Sequence, residues 1–184
     1  MRDELSRAID LLSEGRQYAP FFEWADKEGK ELGVAEEFAA SINAEIGLGL
    51  SGLQLQRPDP PDLTCVSASG ERVAIEVVEV VCEETVRRNA KGQEAFRVWR
   101  PGALVSSIAT LLERKDNKNF HAGPFAHTFA CLFTDEPMLT PDFVRAELAT
   151  ASFGPFKQLT ASFLLFSYQP STQTYPVIRL VHHA

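Results

Sequence analysis

Long apolar runs are missing from this chain. No stretch of its 184 residues approaches the roughly 20 consecutive apolar positions of a membrane-spanning helix, and the start MRDELSRAIDLL alternates charged with apolar residues where a signal peptide would carry an apolar centre. A membrane protein is excluded on that reading, and the cytoplasm is the expected compartment. Cysteine is scarce: Cys65, Cys82 and Cys131 lie far apart in apolar, strand-like segments, which predicts buried thiols in place of a disulfide framework. The four histidines, His121, His127, His182 and His183, show no ligand spacing with those cysteines, so no structural zinc is expected. Basic charge is in deficit. A net charge of −7 excludes a protein that coats nucleic acid non-specifically, because such binding needs many cationic contacts to phosphates. Also absent are a Gly-rich phosphate loop, a nucleotide-binding fingerprint and a Ser-His-Asp order, and there are no repeats, low-complexity tracts or linkers.

What is present describes an ordinary globular chain. An apolar content of 45% and a charged content of 23% are typical of soluble domains, and the length suits one domain with a substantial core. The charge is unevenly placed: residues 1–62 hold 6 basic and 13 acidic side chains, whereas residues 85–121 hold 8 basic and 3 acidic ones. Arg87, Arg88, Arg97 and Arg100 in that basic island are candidate phosphate contacts, since a local patch steers phosphates even on an acidic protein. The plainer reading is a solvated face. Phe96 and Trp99 are candidates for stacking on unpaired bases, with packing onto the core the stronger expectation for Trp99.

Periodicity places helices and strands in alternation. Arg2 to Gly15 carries a helical stripe through Leu5, Ala8, Ile9 and Leu12, and a second helix is predicted from Val34 through Phe38, Ile42 and Ile46 to Gly47. Strands follow at Leu53–Gln56, Leu63–Val66 and Arg72–Val81, the last two joined by a polar turn containing Gly70. After a polar segment, Glu83 to Pro101, come a helix over Gly102–Lys115, a strand over Ala126–Thr134 and a helix opened by Thr140-Pro141-Asp142, where proline suits a first helical position. Ala161–Tyr168 and Tyr175–His182 read as closing strands. The fold class is therefore α/β.

One strand carries a misplaced charge. In Val73-Ala74-Ile75-Glu76-Val77-Val78 both faces of the alternation are apolar, so the strand is expected to be interior, where a glutamate needs a partner. Across the turn stands Asp62, behind Pro60-Pro61. Residues on opposite sides of such a turn can face one another at about 5 Å, and two carboxylates at that distance suit a hard cation such as magnesium. Taken alone, Asp62 reads more readily as a turn or cap residue than as a catalytic one. Glu79 should point to the opposite face from Glu76.

Pro61-Asp62, the hairpin and Glu76 resemble the PD-(D/E)xK nuclease superfamily, and Pro60-Pro61-Asp62, Glu76-Val77-Val78-Glu79 and Lys115-Asp116-Asn117-Lys118-Asn119-Phe120 are similar to bacterial members with a degenerate form of that motif. The resemblance implies a restriction-endonuclease-like fold, a three-layer core with a central mixed β-sheet flanked by helices. It divides residues 1–184 into an N-terminal helical extension (1–33), a motif-bearing core (34–134) and a C-terminal helix with strands (135–184). It also implies that Asp62 and Glu76 hold magnesium, or manganese, and that Glu45, or less favourably Glu37, adds a helix carboxylate. The family's lysine place is occupied by Val78, which leaves Lys118 or Lys115 to serve. The expected function is hydrolysis of phosphodiester bonds in DNA or RNA by a magnesium-activated water. Two alternatives stand beside it: an inactive nuclease-like scaffold that binds nucleic acid or protein, and a small-molecule enzyme with Glu76 as buried general base. A homodimer is left open.

Overall fold

The computed structural model describes residues 26–82, 99–136 and 138–183. Within them a six-stranded mixed sheet is flanked by helices, an α/β architecture. The first helix, α1 (Lys27–Ile46), starts seven residues before the position the apolar stripe suggests. Its start is set by Asp26, whose side chain accepts a hydrogen bond from the Gly29 amide at 2.7 Å and so satisfies one of the orphan donors of the first turn. The helix stops at Gly47, which adopts a left-handed φ of 67° and returns its amide to the Asn43 carbonyl.

Three antiparallel strands come next: β1 (Ser51–Leu55), β2 (Leu63–Val66) and β3 (Arg72–Glu79). The β2–β3 turn is closed by Ser67 and Glu71 backbone pairing at 3.0 Å, with Gly70 at a φ of 79° that a side chain would strain. Helix α2 (Ala103–Asp116) leads into β4 (His127–Thr134), parallel to β3; helix α3 (Pro141–Leu148) leads into β5 (Ala161–Phe166), parallel to β4; and β6 (Val177–Leu180) returns antiparallel to β5. The strand order is the chain order, β1 through β6. Pro141 occupies the first turn of α3 and Thr140 caps it, as the local sequence predicts. The expected helix over residues 2–15 lies outside the described residues.

Each face of the sheet has its own core. On one side α1 sets Val34, Phe38 and Ile42 against Val73, Ile75 and Val77 of β3 and against Phe129 and Phe163. On the other, Leu104, Ile108 and Leu112 of α2 and Val144 of α3 pack on Val78, Ala130, Leu132 and Leu164. Trp99 joins this second core, where the sequence puts it. The alternation along β3 is thus divided between two helical layers: Glu79 meets Lys30 of α1 at 2.8 Å, while Glu76 turns toward α2. Cys65 and Cys131 are buried thiols, and burial pushes Cys65 up to about 11; Cys82 is only half-buried. No helix among the described residues is long and apolar enough to cross a membrane.

Phe38 is fully buried and its ring lies 5.2 Å from that of Phe163, so it couples α1 to the sheet. Phe38→Ala is expected to cost about 3–5 kcal/mol through lost burial and the cavity left behind. A urea-melt midpoint that falls at unchanged slope checks this; a change under 1 kcal/mol would mean that α1 contributes little to the core.

Candidate metal and phosphodiester site

The hairpin brings the two carboxylates together by register. Leu63 pairs with Ile75, so the next position outward sets Asp62 opposite Glu76. At that point the backbone ladder ends, and the Asp62 side chain continues it: Oδ2 accepts a hydrogen bond from the Val77 amide at 2.7 Å. The loop before it is held by the Gln56 amide on the Asp62 carbonyl, 3.0 Å, and by the His121 amide on the Pro60 carbonyl, 2.7 Å. Asp62 is 1% exposed and Glu76 is fully buried.

Cations arrive from the end of α2. Leu104, Ile108, Leu112 and Lys115 are buried along one stripe of that helix, so Lys115 occupies a core position and its ammonium is directed inward. Its Nζ lies 2.9 Å from Asp62 Oδ2 and 2.6 Å from Glu76 Oε2. Lys118 stands beyond the helix end, past Asn117, and reaches the same Glu76 Oε2 at 2.8 Å, with longer approaches to Asp59 at 3.5 Å and Asp62 at 3.9 Å. The two lysines differ in access: the Lys115 side chain is 8% exposed and that of Lys118 is 30% exposed. Both bond the same oxygen of Glu76, while the other, Oε1, is buried without a hydrogen-bond partner.

Three carboxylates, Asp59, Asp62 and Glu76, place ligand oxygens within 4.8 Å of one another. This fits a hard divalent cation, which takes a few carboxylate oxygens and keeps waters, and the orphaned Oε1 supplies a lone pair with nothing else to satisfy it. Burial raises the Glu76 carboxyl above its ordinary range, and the Asp62 charge adds to the effect, against the lowering by Lys115 and Lys118. For Lys118, burial works to lower the pKa, but Glu76, Asp62 and Asp59 outweigh it and hold the ammonium above its usual value.

Neither Glu45 nor Glu37 of α1 joins these three carboxylates. Glu45 is exposed in the last turn of α1, about 27 Å along the axis from Lys27, whose ammonium approaches Asp59 at 3.9 Å. Glu37 is half-buried and its charge acts on Tyr175 instead. Glu31 is the buried acid facing this side. Burial raises its pKa, Asp62 raises it further, and Lys27 pairs with it at 3.1 Å. Glu31 belongs to the stripe Glu31, Val34, Phe38, Ile42, a signal hidden by starting the helix at Val34. Asp59, in the run Pro58-Asp59-Pro60-Pro61, left no periodic mark of its own.

Of the basic island, Lys115 and Lys118 belong to this cluster, whereas the arginine singled out as a phosphate contact within the described residues does not. Arg100 is exposed just before α2, and the 14-residue helix separates it from Lys115 by about 20 Å. Arg87, Arg88, Arg97 and Phe96 lie outside the described residues. No family model, no curated protein and no solved structure matches the chain.

Asp116 holds the end of α2 in place. Its carboxylate accepts from the Lys157, Gln158 and Leu159 amides at 2.9, 2.8 and 3.0 Å, tying the helix to the segment before β5. Burial works to raise its pKa, but the three backbone donors prevail and hold it below the usual aspartate range. A depressed pKa stabilises the fold above the unfolded-state value, near 3.9 for an aspartate, and the contribution fades as pH falls through the folded-state value. Melting temperatures measured from pH 6 to pH 3 should therefore fall more steeply for wild type than for Asp116→Asn. Parallel slopes would remove the linkage.

Proposed function

We propose that this protein is a metal-dependent nuclease of the PD-(D/E)xK type on a restriction-endonuclease-like fold, hydrolysing phosphodiester bonds in DNA or RNA. One observation carries the reading: a buried carboxylate pair, Asp62 on the ladder end and Glu76 in a central strand, meets two lysines while Glu76 Oε1 keeps an unused lone pair. A structural ion pair has no use for an unsatisfied buried oxygen, which costs stability. The Val78 departure is compensated in charge, because Lys115 in the last turn of α2 and Lys118 just past it reach the same face of β3 on which Val78 packs.

In this reading Asp59, Asp62 and Glu76 would hold magnesium or manganese, which supplies Lewis acidity and a bound water of lowered pKa. The chain's own residues do the rest. The Val77 amide and Lys115 fix the Asp62 carboxylate, so its orientation is set before substrate arrives. Lys118, partly exposed at the edge of the cluster, is the cation able to turn toward a phosphate and offset charge developing on its oxygens. Glu31 with Lys27 and Asp59 with Lys118 flank the cluster. Arg100, together with Arg87, Arg88 and Arg97, would extend nucleic-acid contact beyond this cluster.

An inactive nuclease-like scaffold is the second reading. It is favoured by the short Lys115 contacts, which already neutralise both carboxylates. Labelled single- and double-stranded DNA and RNA, incubated with magnesium or manganese, separate the two. Cleavage is expected for wild type. Glu76→Gln and Asp62→Asn should each lose more than the roughly 10- to 100-fold that removing a supporting residue costs, and Lys118→Met about 100-fold or more. Intact oligonucleotides under every condition, with metal binding demonstrated, would leave the scaffold reading in place.

A further inference from the structure

Two lysines touch Glu76, and they are not equivalent. Lys115 sits on the buried stripe of α2 and places its ammonium between Asp62 Oδ2 and Glu76 Oε2, at 2.9 and 2.6 Å. A divalent cation held by Asp62 and Glu76 through those same oxygens would need the space the ammonium fills. We propose that Lys115 is the resident counter-cation of the Asp62–Glu76 pair and competes with a divalent metal for it, an inference that rests on the metal-site reading above. Lys118 reaches the pair from the solvent side, bonds only Glu76 closely, and leaves the Asp62 oxygens more than 3.5 Å away.

The competition follows from charge and space. Asp62 and Glu76 are withdrawn from water, so an ionised pair requires cationic charge at close range. The ammonium on the buried stripe supplies it without any ion, and the fold does not need metal to close around its carboxylates. That arrangement carries a consequence for loading. A dication arriving through Glu76 Oε1, Asp59 and the outer oxygen of Asp62 meets a fixed positive charge a few ångströms away, and one that bridges Oδ2 and Oε2 must displace it. Either geometry weakens metal binding, and in either the weakening disappears when the ammonium is removed. The same ammonium therefore lowers metal affinity and provides stability in the absence of metal.

Calorimetric titration with manganese, beside melting curves in chelator and in manganese, tests the competition without reference to turnover. Lys115→Met keeps length and apolar stem but not charge; it is expected to bind manganese at least about tenfold tighter than wild type, to melt lower in chelator, and to gain more from manganese. Lys115→Arg, which keeps the cation, should retain wild-type affinity, and Lys118→Met should tighten binding less than Lys115→Met. Adding Glu76→Gln to Lys115→Met should abolish the gain. Should Lys115→Met prove unfolded in chelator, recovery of a cooperative melt on adding manganese supports the inference and its absence overturns it. Equal or weaker binding by Lys115→Met overturns it as well; if wild type still cleaves oligonucleotides, the nuclease reading survives that failure. Tighter binding with no cleavage by any variant leaves the competition standing and removes the nuclease. No binding by either protein removes both.

Discussion

A glutamate in the middle of a central strand constrains everything near it. Glu76 is fully buried between two neighbouring strands, where an isolated carboxylate would be forced to neutralise or to find charge of opposite sign. The fold answers by ending α2 over that point, so that Lys115 follows Leu104, Ile108 and Leu112 inward. Breaking such a buried pair by removing one partner is more damaging than exchanging both for apolar groups. The carboxylates and the lysine must therefore be regarded as one unit, and the position of α2 on the sheet is tied to it.

The end of α2 is accordingly fastened from several sides. Asp116 binds three consecutive amides before β5, and Gln158 returns its side-chain amide to the carbonyls of Asp116 and Lys118. On the other side the Pro60 carbonyl accepts the His121 amide. The loop carrying Asp59, the loop after α2 and the segment before β5 are thereby joined around the cluster. Lys118 lies in this bracing, its backbone fixed by Gln158 while its ammonium keeps partial access to solvent. A fixed backbone with a partly exposed tip suits a residue that exchanges one anionic partner for another.

Charge around the cluster is nearly balanced. Lys27 with Glu31, and Lys118 with Asp59, add alternating signs outward from the Lys115 pair. An acidic protein can present such a site to a polyanion because its local field is close to neutral, and overall net charge acts mainly beyond the screening distance. The second core, with Trp99, Leu104 and Val144, packs under α2 on the face of the sheet toward which Glu76 turns.

How much could be read from the chain depends on the range of the interaction. Strand alternation and hairpin register are local, so Leu63–Val66, Arg72–Glu79, the facing of Asp62 and Glu76 and the separation of Glu79 to the other layer follow from the residues themselves. The stripe of α2 through Leu104, Ile108 and Leu112 is local too. Glu31 was obscured because Lys27–Gly33 carries Leu32 as its only large apolar side chain and the start of α1 is set by a single cap at Asp26, so Glu45 stood out in its place. Asp59 could not be recognised at all, since its position depends on a loop held by contacts from residues some sixty positions away, such as Lys118. The sequence alone determined which carboxylates face one another, through a period of two along a short hairpin. Only the tertiary structure decided which cations meet them, which lysine is buried and which exposed, and which oxygen is left without a partner, because those depend on how α1 and α2 pack against opposite faces of the sheet.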